Sequence, residues 1–414
     1  CPHPSRHCWP PALSSLAPMI NSSPIVKDLV LVGGGHSHVA VLKMFGMKPV
    51  PGVQITLISR DVHTPYSGML PGYISGFYEY DDCHVDLRPL ARFAGARLVH
   101  GEVMGIDLAA KKIQVPGRPP IAYDIVSIDI GSTPAQGTIP GVEKSIPVKP
   151  IDGFWRRWEG LRERAAASPT GLEVVVVGGV ELCLSMQFRL EQERAAAGKP
   201  ASAACKFQIV TRGTILSDKN SWAQSKYRKI LSERGVTLHE HEAVTKLSEG
   251  SLSLSGGGDV PYDECLWCTQ AGTQAWLKES GLPVDEGGFM LIRDTLQSTG
   301  DGDVYGAGDC ASCPQHPRPK AGVFAVRQGM PLAENLRRAL QGGSPKPFVP
   351  QRTFLSLIST GNKYCIATKG WLALEGAWLW KLKDWIDRSW MFKYGGGLPD
   401  MPPPKEEART AAGT

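Results

Sequence analysis

The chain has 414 residues, of which 42% are hydrophobic, and it carries a formal net charge of +5 at pH 7. This length suits two or three domains, each able to bury a core. The small charge and the lack of a dense Lys/Arg block argue against nucleic acid as a partner, and no apolar run reaches the roughly 18 residues of a membrane span.

Residues 1–24 precede the first predicted element. They are rich in Pro and Ser and contain no acidic residue, so they cannot form a core and are predicted to be disordered. Two interpretations stay open: the end of an organelle transit peptide, which has this composition, or extraneous sequence ahead of a start at Met19. The compartment is open between the cytoplasm, the chloroplast and the mitochondrion.

A Rossmann-like unit begins at residue 27. The apolar run "KDLVLVGGG" predicts a strand closed by Gly33, Gly34 and Gly35; a helix follows, and then a second strand, "VQITLIS". Gly33 permits a tight turn, and Gly35 lets a diphosphate approach the N–H groups of a helix N-terminus. Ser59 stands where an acid normally binds the ribose, and it could still donate a hydrogen bond there.

Two histidines interrupt this glycine-rich turn. His38 replaces the third glycine of the G-x-G-x-x-G pattern. Because His36 and His38 lie in a turn that faces phosphate, phosphate or packing contacts are favoured over metal binding. We therefore predict five cofactor-binding residues: Gly33, Gly34, Gly35, His36 and His38.

The same pattern then restarts. Residues 98–115 predict a small antiparallel excursion, and "YDIVSIDIGSTP" predicts a buried strand that ends in a Gly-Ser turn. After a helix at "FWRRWEGLRERAAA", the strand "LEVVVVGG", the helix "VELCLSMQFRLEQERAAA" and the strand "KFQIVTRG" repeat the first unit, and "PYDECLWCTQAGT" repeats "AYDIVSIDIGST". The fold class is therefore α/β, with two Rossmann-like units, the second inserted in the first, and a C-terminal α+β element.

The segment "STGDGDVYGAGDCAS" predicts a strand and turn that return to the first unit. Thr299, Gly308 and Asp309 match the type and spacing of a second dinucleotide motif, in which the Asp binds a ribityl hydroxyl of FAD. Its pairing with the distant glycine turn is much more specific than either motif alone.

Four cysteines form two CxxC pairs, Cys265/Cys268 and Cys310/Cys313, which together could bind zinc. For the first pair a buried strand is favoured, because residues three apart in a strand point to opposite faces. For the second pair a reactive dithiol stays open beside zinc.

In the order of these motifs the chain resembles the pyridine nucleotide-disulfide oxidoreductase superfamily of two-dinucleotide flavoproteins, which includes type II NADH dehydrogenases. The resemblance covers residues 27–340. Within it, "GGGHSHVAVLKMFGMKPVPGVQITLISRDVHTPYSGMLPGYISGFY", "DLRPLARFAGARL" and "KDWIDRSWM" look closest to the NADH dehydrogenase-like module found fused to selenide, water dikinase.

The resemblance implies FAD in the first unit and NAD(P)H in the second. It implies these domain bounds: 1–24, a disordered or targeting segment; 25–150 and 290–345, the FAD-binding domain; 151–289, the NAD(P)-binding domain; 346–395, the C-terminal element; 396–414, a tail or interdomain linker. No redox cysteine pair follows the ribose strand, so a disulfide-reductase mechanism is not expected.

Residues beside the flavin are implied in the same way. Tyr66, Ser67 and Gly68 are candidates to line the isoalloxazine, and Lys149 is a candidate to lie near it, with a solvated surface lysine as the alternative. Tyr66 and Lys149 are the two catalytic candidates. Hydride transfer itself requires alignment of the two rings and no acid–base pair.

The second glycine turn is shorter than the superfamily pattern strand-G-G-G-x-x-G-V-E-L. Only Gly178 and Gly179 separate the strand from "VEL", so four residues are missing, with about one turn of N–H donors. Glu181, which the resemblance places near the nicotinamide, remains. Thr211 replaces the acid at the end of the next strand, and Arg212 after it could pair with a 2′-phosphate.

The C-terminal segment "WLALEGAWLWKLKDWIDRSWMFKY" contains five tryptophans. Leu374, Trp378, Leu382 and Trp385 have the spacing of one helical face, with the charged residues mostly elsewhere. Such a helix suits either packing on the flavin domain or on a homodimer partner, or peripheral contact with a membrane surface.

The sequence therefore predicts an FAD-dependent NAD(P)H oxidoreductase that reduces a quinone or another small acceptor. Two alternatives stay open. One is an FAD-binding protein with an impaired NAD(P)H site, acting as a partner or regulatory module linked to selenophosphate synthesis. The other is a sulfide- or dithiol-handling flavoprotein that uses Cys310 and Cys313.

Overall fold

The computed structural model describes residues 24–134, 139–200, 205–269 and 271–399. The N-terminal segment 1–23 and residues 400–414 of the predicted tail lie outside the described residues. The helices are α1 (His36–Met47), α2 (Leu70–Ile74), α3 (Leu87–Phe93), α4 (Ile151–Ala167), α5 (Val180–Ala196), α6 (Ser221–Glu233), α7 (Trp276–Glu279), α8 (Gly322–Leu340) and α9 (Ala377–Tyr394).

The strands, in chain order, are β1 (Lys27–Val32), β2 (Val53–Ser59), β3 (His63–Pro65), β4 (His84–Asp86), β5 (Arg97–His100), β6 (Gly105–Asp107), β7 (Lys112–Gln114), β8 (Ile121–Ala122), β9 (Ile125–Ile128), β10 (Thr133–Pro134), β11 (Ile146–Pro147), β12 (Glu173–Val177), β13 (Lys206–Thr211), β14 (Thr237–Glu240), β15 (Val244–Ser248), β16 (Ser251–Leu254), β17 (Asp259–Pro261), β18 (Glu264–Trp267), β19 (Ala271–Gly272), β20 (Met290–Leu291), β21 (Val304–Gly306), β22 (Ala311–Ser312), β23 (Ser356–Ser359), β24 (Cys365–Lys369) and β25 (Leu372–Gly376).

Two five-stranded parallel sheets form the centre of the molecule. The first has the order β21-β9-β1-β2-β5, and the second has the order β11-β18-β12-β13-β14. Their central strands are continuous apolar runs, Leu29–Val32 and Val174–Val177, and are buried. Parallel strands covered on both faces require this composition.

The two sheets have similar strand arrangements, but the strands of the first sheet are not consecutive in the sequence. The last strand of the first sheet, β21, comes after the whole second sheet, whereas β11 of the second sheet comes before β12. The second unit therefore lies between parts of the first. This confirms the predicted α/β fold with two interleaved Rossmann-like units.

The excursion predicted at residues 98–115 is partly wrong. The strands β6, β7 and β8 form an antiparallel sheet as expected. Residues 97–100, however, form β5, which pairs in parallel with β2 at the edge of the first sheet. The reason is tertiary: β2 offers a free edge that this short segment can extend.

The C-terminal element is an antiparallel sheet, β23-β24-β25, followed by α9. The prediction that Leu374 shares a helical face with Trp378 is wrong, because Leu374 lies in β25 and the helix begins at Ala377. The sequence left open which face of the helix packs inward. Asp387 is buried and the side chain of Lys383 is 12% exposed, whereas Trp378 and Trp385 are 56% and 67% exposed. Within the described ranges, no helix is long and apolar enough to span a bilayer.

Candidate functional site

A cleft opens at the carboxyl ends of the strands of the first sheet. Open α/β sheets bind ligands at this edge, here beyond the ends of the neighbouring strands β1 and β9. The cleft is lined by the glycine turn 33–35, by residues 58–61, 63–65 and 101–103, by 129–132 and 149–151, and by His36, Ser67, Gln274, Asp309, Gly322 and Ala325.

The glycine turn is packed so closely that side chains are excluded. Gly33 has φ +91° and Gly34 is in an ordinary conformation, but a Cβ on Gly34 would lie 2.5 Å from Leu87. A Cβ on Gly35 would overlap the carboxylate of Asp129. The turn therefore presents bare backbone to the cleft at the N-terminus of α1, which suits a diphosphate.

Asp129 is the most important residue that the sequence analysis missed. Its carboxylate accepts hydrogen bonds from the N–H groups of Ser37 (2.8 Å) and His38 (3.2 Å), in the first turn of α1. Burial raises the pKa of Asp129 to about 7, although these two N–H groups oppose the shift. The sequence signal that could have identified Asp129 is an acidic residue directly after the apolar strand "IVSI".

The pKa of Asp129 predicts how FAD binding depends on pH. A bound diphosphate disfavours a second anion beside it, so the loaded protein holds the Asp129 proton more tightly than the free protein. The affinity for FAD is therefore expected to be flat below pH 7 and to fall by up to about tenfold per pH unit above it. Fluorescence titration of the flavin-free protein measures this.

The matched variant is Asp129→Asn, which keeps the size of the side chain and removes the titration. Its affinity for FAD is expected to be independent of pH over the same range. Asp309 and Cys310 are the other ionisable groups that couple to Asp129, and both remain in the variant. A pH profile shared by the two proteins would contradict the assignment.

His36 and His38 take different places. The ring of His38 is buried and contacts the carbonyl of Gly33 (2.6 Å) and the hydroxyl of Ser127 (2.8 Å), so it packs α1 against the sheet. His36 lines the cleft, and its buried Nε2 has no partner among the described residues. Burial lowers the pKa of each ring to about 4, so both are neutral at pH 7.

Lys149 and Asp309 meet across the cleft. The ammonium of Lys149 lies 2.8 Å from the carboxylate of Asp309 and 3.0 Å from the hydroxyl of Ser132. Gly308, at φ +69°, approaches Asp129 so closely that a Cβ would overlap its carboxylate. The structure thus brings together the predicted glycine turn, Asp309 and Lys149, although they are far apart in sequence.

The loop at residues 66–68 lies between the cleft and α9. Ser67 lines the cleft, whereas the ring of Tyr66 stacks on Trp390 with centroids 4.3 Å apart. The carbonyl of Gly68 accepts a hydrogen bond from Lys383 (2.6 Å). Burial, and then the carboxylate of Asp387, raise the pKa of Tyr66, so its phenol stays protonated.

Ser59 behaves differently from the prediction that it donates to a ribose. Its hydroxyl donates to the backbone carbonyl of Asp61 at 2.7 Å, although the residue lines the cleft. A ribose could therefore use only the lone pairs of this oxygen. Thr64, also in the cleft, donates to the carbonyl of Gly34.

The shortened second turn leads straight into α5. Gly178 and Gly179 have φ of +77° and +73°, and α5 begins at the next residue. A Cβ on Gly179 would lie 2.6 Å from the sulfur of Cys268, and one on Gly178 would overlap Thr269. The side chain of Cys268 therefore covers the N-terminus of α5, where the complete loop would bind a diphosphate.

Glu181 does not face this second turn. Its carboxylate accepts a hydrogen bond from the backbone N–H of Ser359 at 2.7 Å, and burial raises its pKa. Glu181, for which the resemblance implied a role near the nicotinamide, is thus bonded to the C-terminal element.

A second cleft lies at the carboxyl ends of β12, β13 and β18. It occupies the same place in the second sheet as the first cleft does in the first. Its lining is Ile139, Val177, Val210, Thr211, Arg212, Gly213, Thr214, Ser217, Glu242, Val244, Trp267 and Thr269.

The cysteines are free thiols in the described part of the chain. Cys310 and Cys313 are both buried, and burial raises the pKa of Cys310 to about 12. A thiolate at Cys310 is therefore strongly disfavoured. The described residues contain no group of three or more His, Cys, Asp or Glu side chains placed to hold a metal ion.

Comparisons with known proteins agree with this architecture. Over 380 residues the chain is 23% identical to the NADH dehydrogenase-like protein YutJ of Bacillus subtilis, covering 90% of this chain and 100% of that protein. It is 22% identical to a type II NADH:quinone oxidoreductase of Staphylococcus epidermidis, covering 89% and 96%. The structure of NDH2 from Plasmodium falciparum in complex with NADH superposes with a TM-score of 0.77, at 15% identity, covering 91% and 100%.

Residues 27–329 match the family model described as pyridine nucleotide-disulphide oxidoreductase, which is more than half of the chain. This match spans both parallel sheets and both clefts. The chain therefore belongs to the pyridine nucleotide-disulphide oxidoreductase family, and the predicted class of enzyme, an FAD-dependent oxidoreductase of NAD(P)H, is confirmed.

Proposed function

We propose that FAD binds in the first cleft, that NAD(P)H binds in the second unit, and that electrons pass on to a quinone or another small acceptor. The observation that carries this is the first cleft itself. It joins a side-chain-free glycine turn at a helix N-terminus with Asp309 and Lys149 at the same edge of one sheet.

The residues present fit FAD. The turn 33–35 would hold the diphosphate, and Asp309 would bind the ribityl chain, with Lys149 beside it. His36 lines the same cleft, and its buried Nε2 has no hydrogen-bond partner in the described chain. FAD supplies the ring that accepts a hydride from the nicotinamide and returns the electrons to an acceptor.

Helix α9 packs against the loop at residues 66–68, beside this cleft. Its buried face packs Trp390 on Tyr66, and Lys383 on the carbonyl of Gly68. Lys383 also pairs with Asp387 at 2.6 Å. Although burial lowers the pKa of Lys383, the carboxylates of Asp387 and Glu181 raise it overall, so the ammonium keeps its proton and fixes the loop beside the cleft.

The acceptor is proposed to be a quinone taken from a membrane surface. Helix α9, strand β25 and the turn before β25 expose apolar side chains that include Trp371 (85%), Trp378 and Trp385. Tryptophan and lysine on such a face suit the headgroup region of a bilayer. A relative with this fold bears the name of an NADH:quinone oxidoreductase.

The membrane contact predicts a specific loss of lipid binding. Replacing Trp378 and Trp385 together by Ala is expected to weaken binding to vesicles of anionic and neutral phospholipid by about tenfold or more, because both indoles leave the headgroup region. Vesicle flotation measures this. Met104→Ala, which removes an exposed apolar side chain from the first unit, is the control, and equal binding by all three proteins would contradict the proposal.

The central experiment is anaerobic reduction of the purified flavoprotein. After the flavin spectrum and the FAD content are confirmed, addition of NADH or NADPH is expected to bleach the flavin absorbance within seconds. Absent bleaching in a protein with full FAD would reject the oxidoreductase activity of this chain. Alkylation of the cysteines without effect on turnover would remove the sulfide- or dithiol-handling alternative.

One observation favours a second candidate function. Cys268 covers the N-terminus of α5, so a diphosphate finds fewer N–H donors there than a complete glycine loop provides. The chain could then be an FAD-binding partner of an enzyme of selenophosphate synthesis, as its resemblance to the module fused to selenide, water dikinase suggests. Slow or absent bleaching with full FAD would favour it.

A further inference from the structure

We infer that the second cleft is built for NADPH rather than NADH, with Arg212 binding the 2′-phosphate of the adenosine. This rests on the proposed function, because it assigns the coenzyme of the same site. It departs from the two relatives reported above, whose names refer to NADH.

The first step is the position of Thr211 and Arg212. Strand β13 follows the first strand of the second unit and pairs with it in parallel, and Thr211 is its last residue. In Rossmann-like units this position carries the acid that binds the ribose 2′-hydroxyl of NADH, whereas a nearby arginine accommodates a 2′-phosphate. Here the acid is absent and the arginine is the next residue.

The second step is that the guanidinium is available. Arg212 is exposed in the second cleft, and no hydrogen bond or ion pair involves its side chain within the described ranges. Thr214 and Ser217 line the same cleft. A guanidinium in a cleft that also carries two hydroxyl-bearing residues can serve a phosphate monoester, which arginine can bind through two parallel hydrogen bonds.

The third step concerns the nearby carboxylates, which are already engaged. Glu242 lines the cleft, but its carboxylate accepts hydrogen bonds from the hydroxyl of Ser255 (3.0 Å) and the N–H of Gly256 (2.8 Å). Glu240 is paired with Arg228 at 2.8 Å and also accepts the N–H of Ile215. Arg228 therefore neutralises Glu240. Both bonds to Glu242 use Oε2, and within the described ranges neither carboxylate forms an ion pair with Arg212.

The fourth step is the shortened glycine turn. Because Cys268 covers the N-terminus of α5, the central diphosphate of the coenzyme gains less there than in a complete loop. The adenosine end must then contribute a larger share of the binding. The ion pair between Arg212 and the 2′-phosphate provides this additional binding for NADPH. NADH has no 2′-phosphate and gains nothing from it.

Two measurements test the inference. In anaerobic stopped-flow experiments on the FAD-loaded protein, the second-order rate constant of flavin reduction is expected to be about tenfold or more higher with NADPH than with NADH. Calorimetry is expected to show 2′,5′-ADP binding about tenfold or more tighter than 5′-ADP, with no electron transfer required.

The variant Arg212→Gln removes the charge and keeps most of the side-chain length. It is expected to lose at least about tenfold in the NADPH reaction and in 2′,5′-ADP binding, while the NADH reaction changes by less than about threefold. Arg157→Gln, which removes an exposed arginine from α4, controls for the change in net charge and should leave both ratios unchanged. The FAD content of each variant verifies folding.

The outcomes separate the two proposals. Reduction that is equally fast or faster with NADH overturns the NADPH assignment and leaves the proposed function intact. An equal loss with both coenzymes in Arg212→Gln also overturns it. If neither coenzyme reduces the bound FAD, the proposed function fails, and the preference between 2′,5′-ADP and 5′-ADP still decides the assignment of Arg212.

Discussion

Replacing Lys383 by Met is expected to lower the free energy of unfolding by about 3–5 kcal/mol, because it leaves a buried charge without its partner. Asp387, one turn away, is 5% exposed and lies 2.6 Å from the ammonium of Lys383. Glu181 is half-buried nearby; desolvation raises its pKa overall, and the ammonium of Lys383 opposes that shift. Chemical denaturation followed by circular dichroism measures the loss.

The variant also affects the loop at residues 66–68, beside the first cleft. Without the ammonium, the carbonyl of Gly68 loses its hydrogen bond, so we expect a looser loop and faster release of FAD. The double variant Lys383→Met/Asp387→Leu should recover part of the stability, because replacing both members of a buried pair by apolar groups avoids the uncompensated charge.

The control for this prediction is an exposed pair of the same spacing. Lys229 and Glu233 lie 3.7 Å apart, with side chains 69% and 61% exposed. Replacing Lys229 by Met is expected to change the stability by less than about 0.5 kcal/mol. A similar effect of Lys383→Met and Lys229→Met would show that the buried pair does not stabilise the fold.

Replacing Gly35 by Ala is expected to weaken FAD binding by about fivefold to 150-fold, while the fold survives. The added methyl group overlaps the carboxylate of Asp129, so the carboxylate or the turn must move. Such overpacking costs about 1–3 kcal/mol, and it falls on the backbone that would hold the diphosphate. The measurement is the FAD content after purification, followed by fluorescence titration of the flavin-free protein.

Gly153→Ala is the matched control. Gly153 lies in α4, and a methyl group added there meets nothing within 4 Å. It should retain FAD and gain slightly in stability, because alanine favours a helix over glycine. Full FAD content and unchanged affinity in Gly35→Ala would contradict the assignment of this turn to the cofactor.

The local parts of the fold were readable in the sequence. The runs "LVLV" and "VVVV" are apolar because their strands are covered on both faces, and each is followed by glycines and a helix. The segment ending at Asp309 was recognisable because its residue types and their spacing match a dinucleotide-binding motif. These features depend on neighbours within about ten residues, which the sequence displays directly.

Long-range contacts were not readable, and they changed several conclusions. At the N-terminus of α1, the carboxylate of Asp129 accepts a hydrogen bond from the N–H of Ser37, some 90 positions away in the sequence. Trp390 stacks on Tyr66 across more than 300 residues. The periodicity of α9 shows two faces, but it does not show which face packs against the protein. Lys383 and Asp387 lie on the inner side with Trp390, whereas Trp378 and Trp385 are exposed.

The sequence by itself determined the α/β class, the duplication and the place of the first glycine turn, because strand, turn and helix preferences are local. Only the tertiary structure decided that Asp309 pairs with Lys149, that Cys268 covers the N-terminus of α5 and that Lys383 is buried. Each of these is a contact between distant segments, whose partners are set by how the sheets and α9 pack.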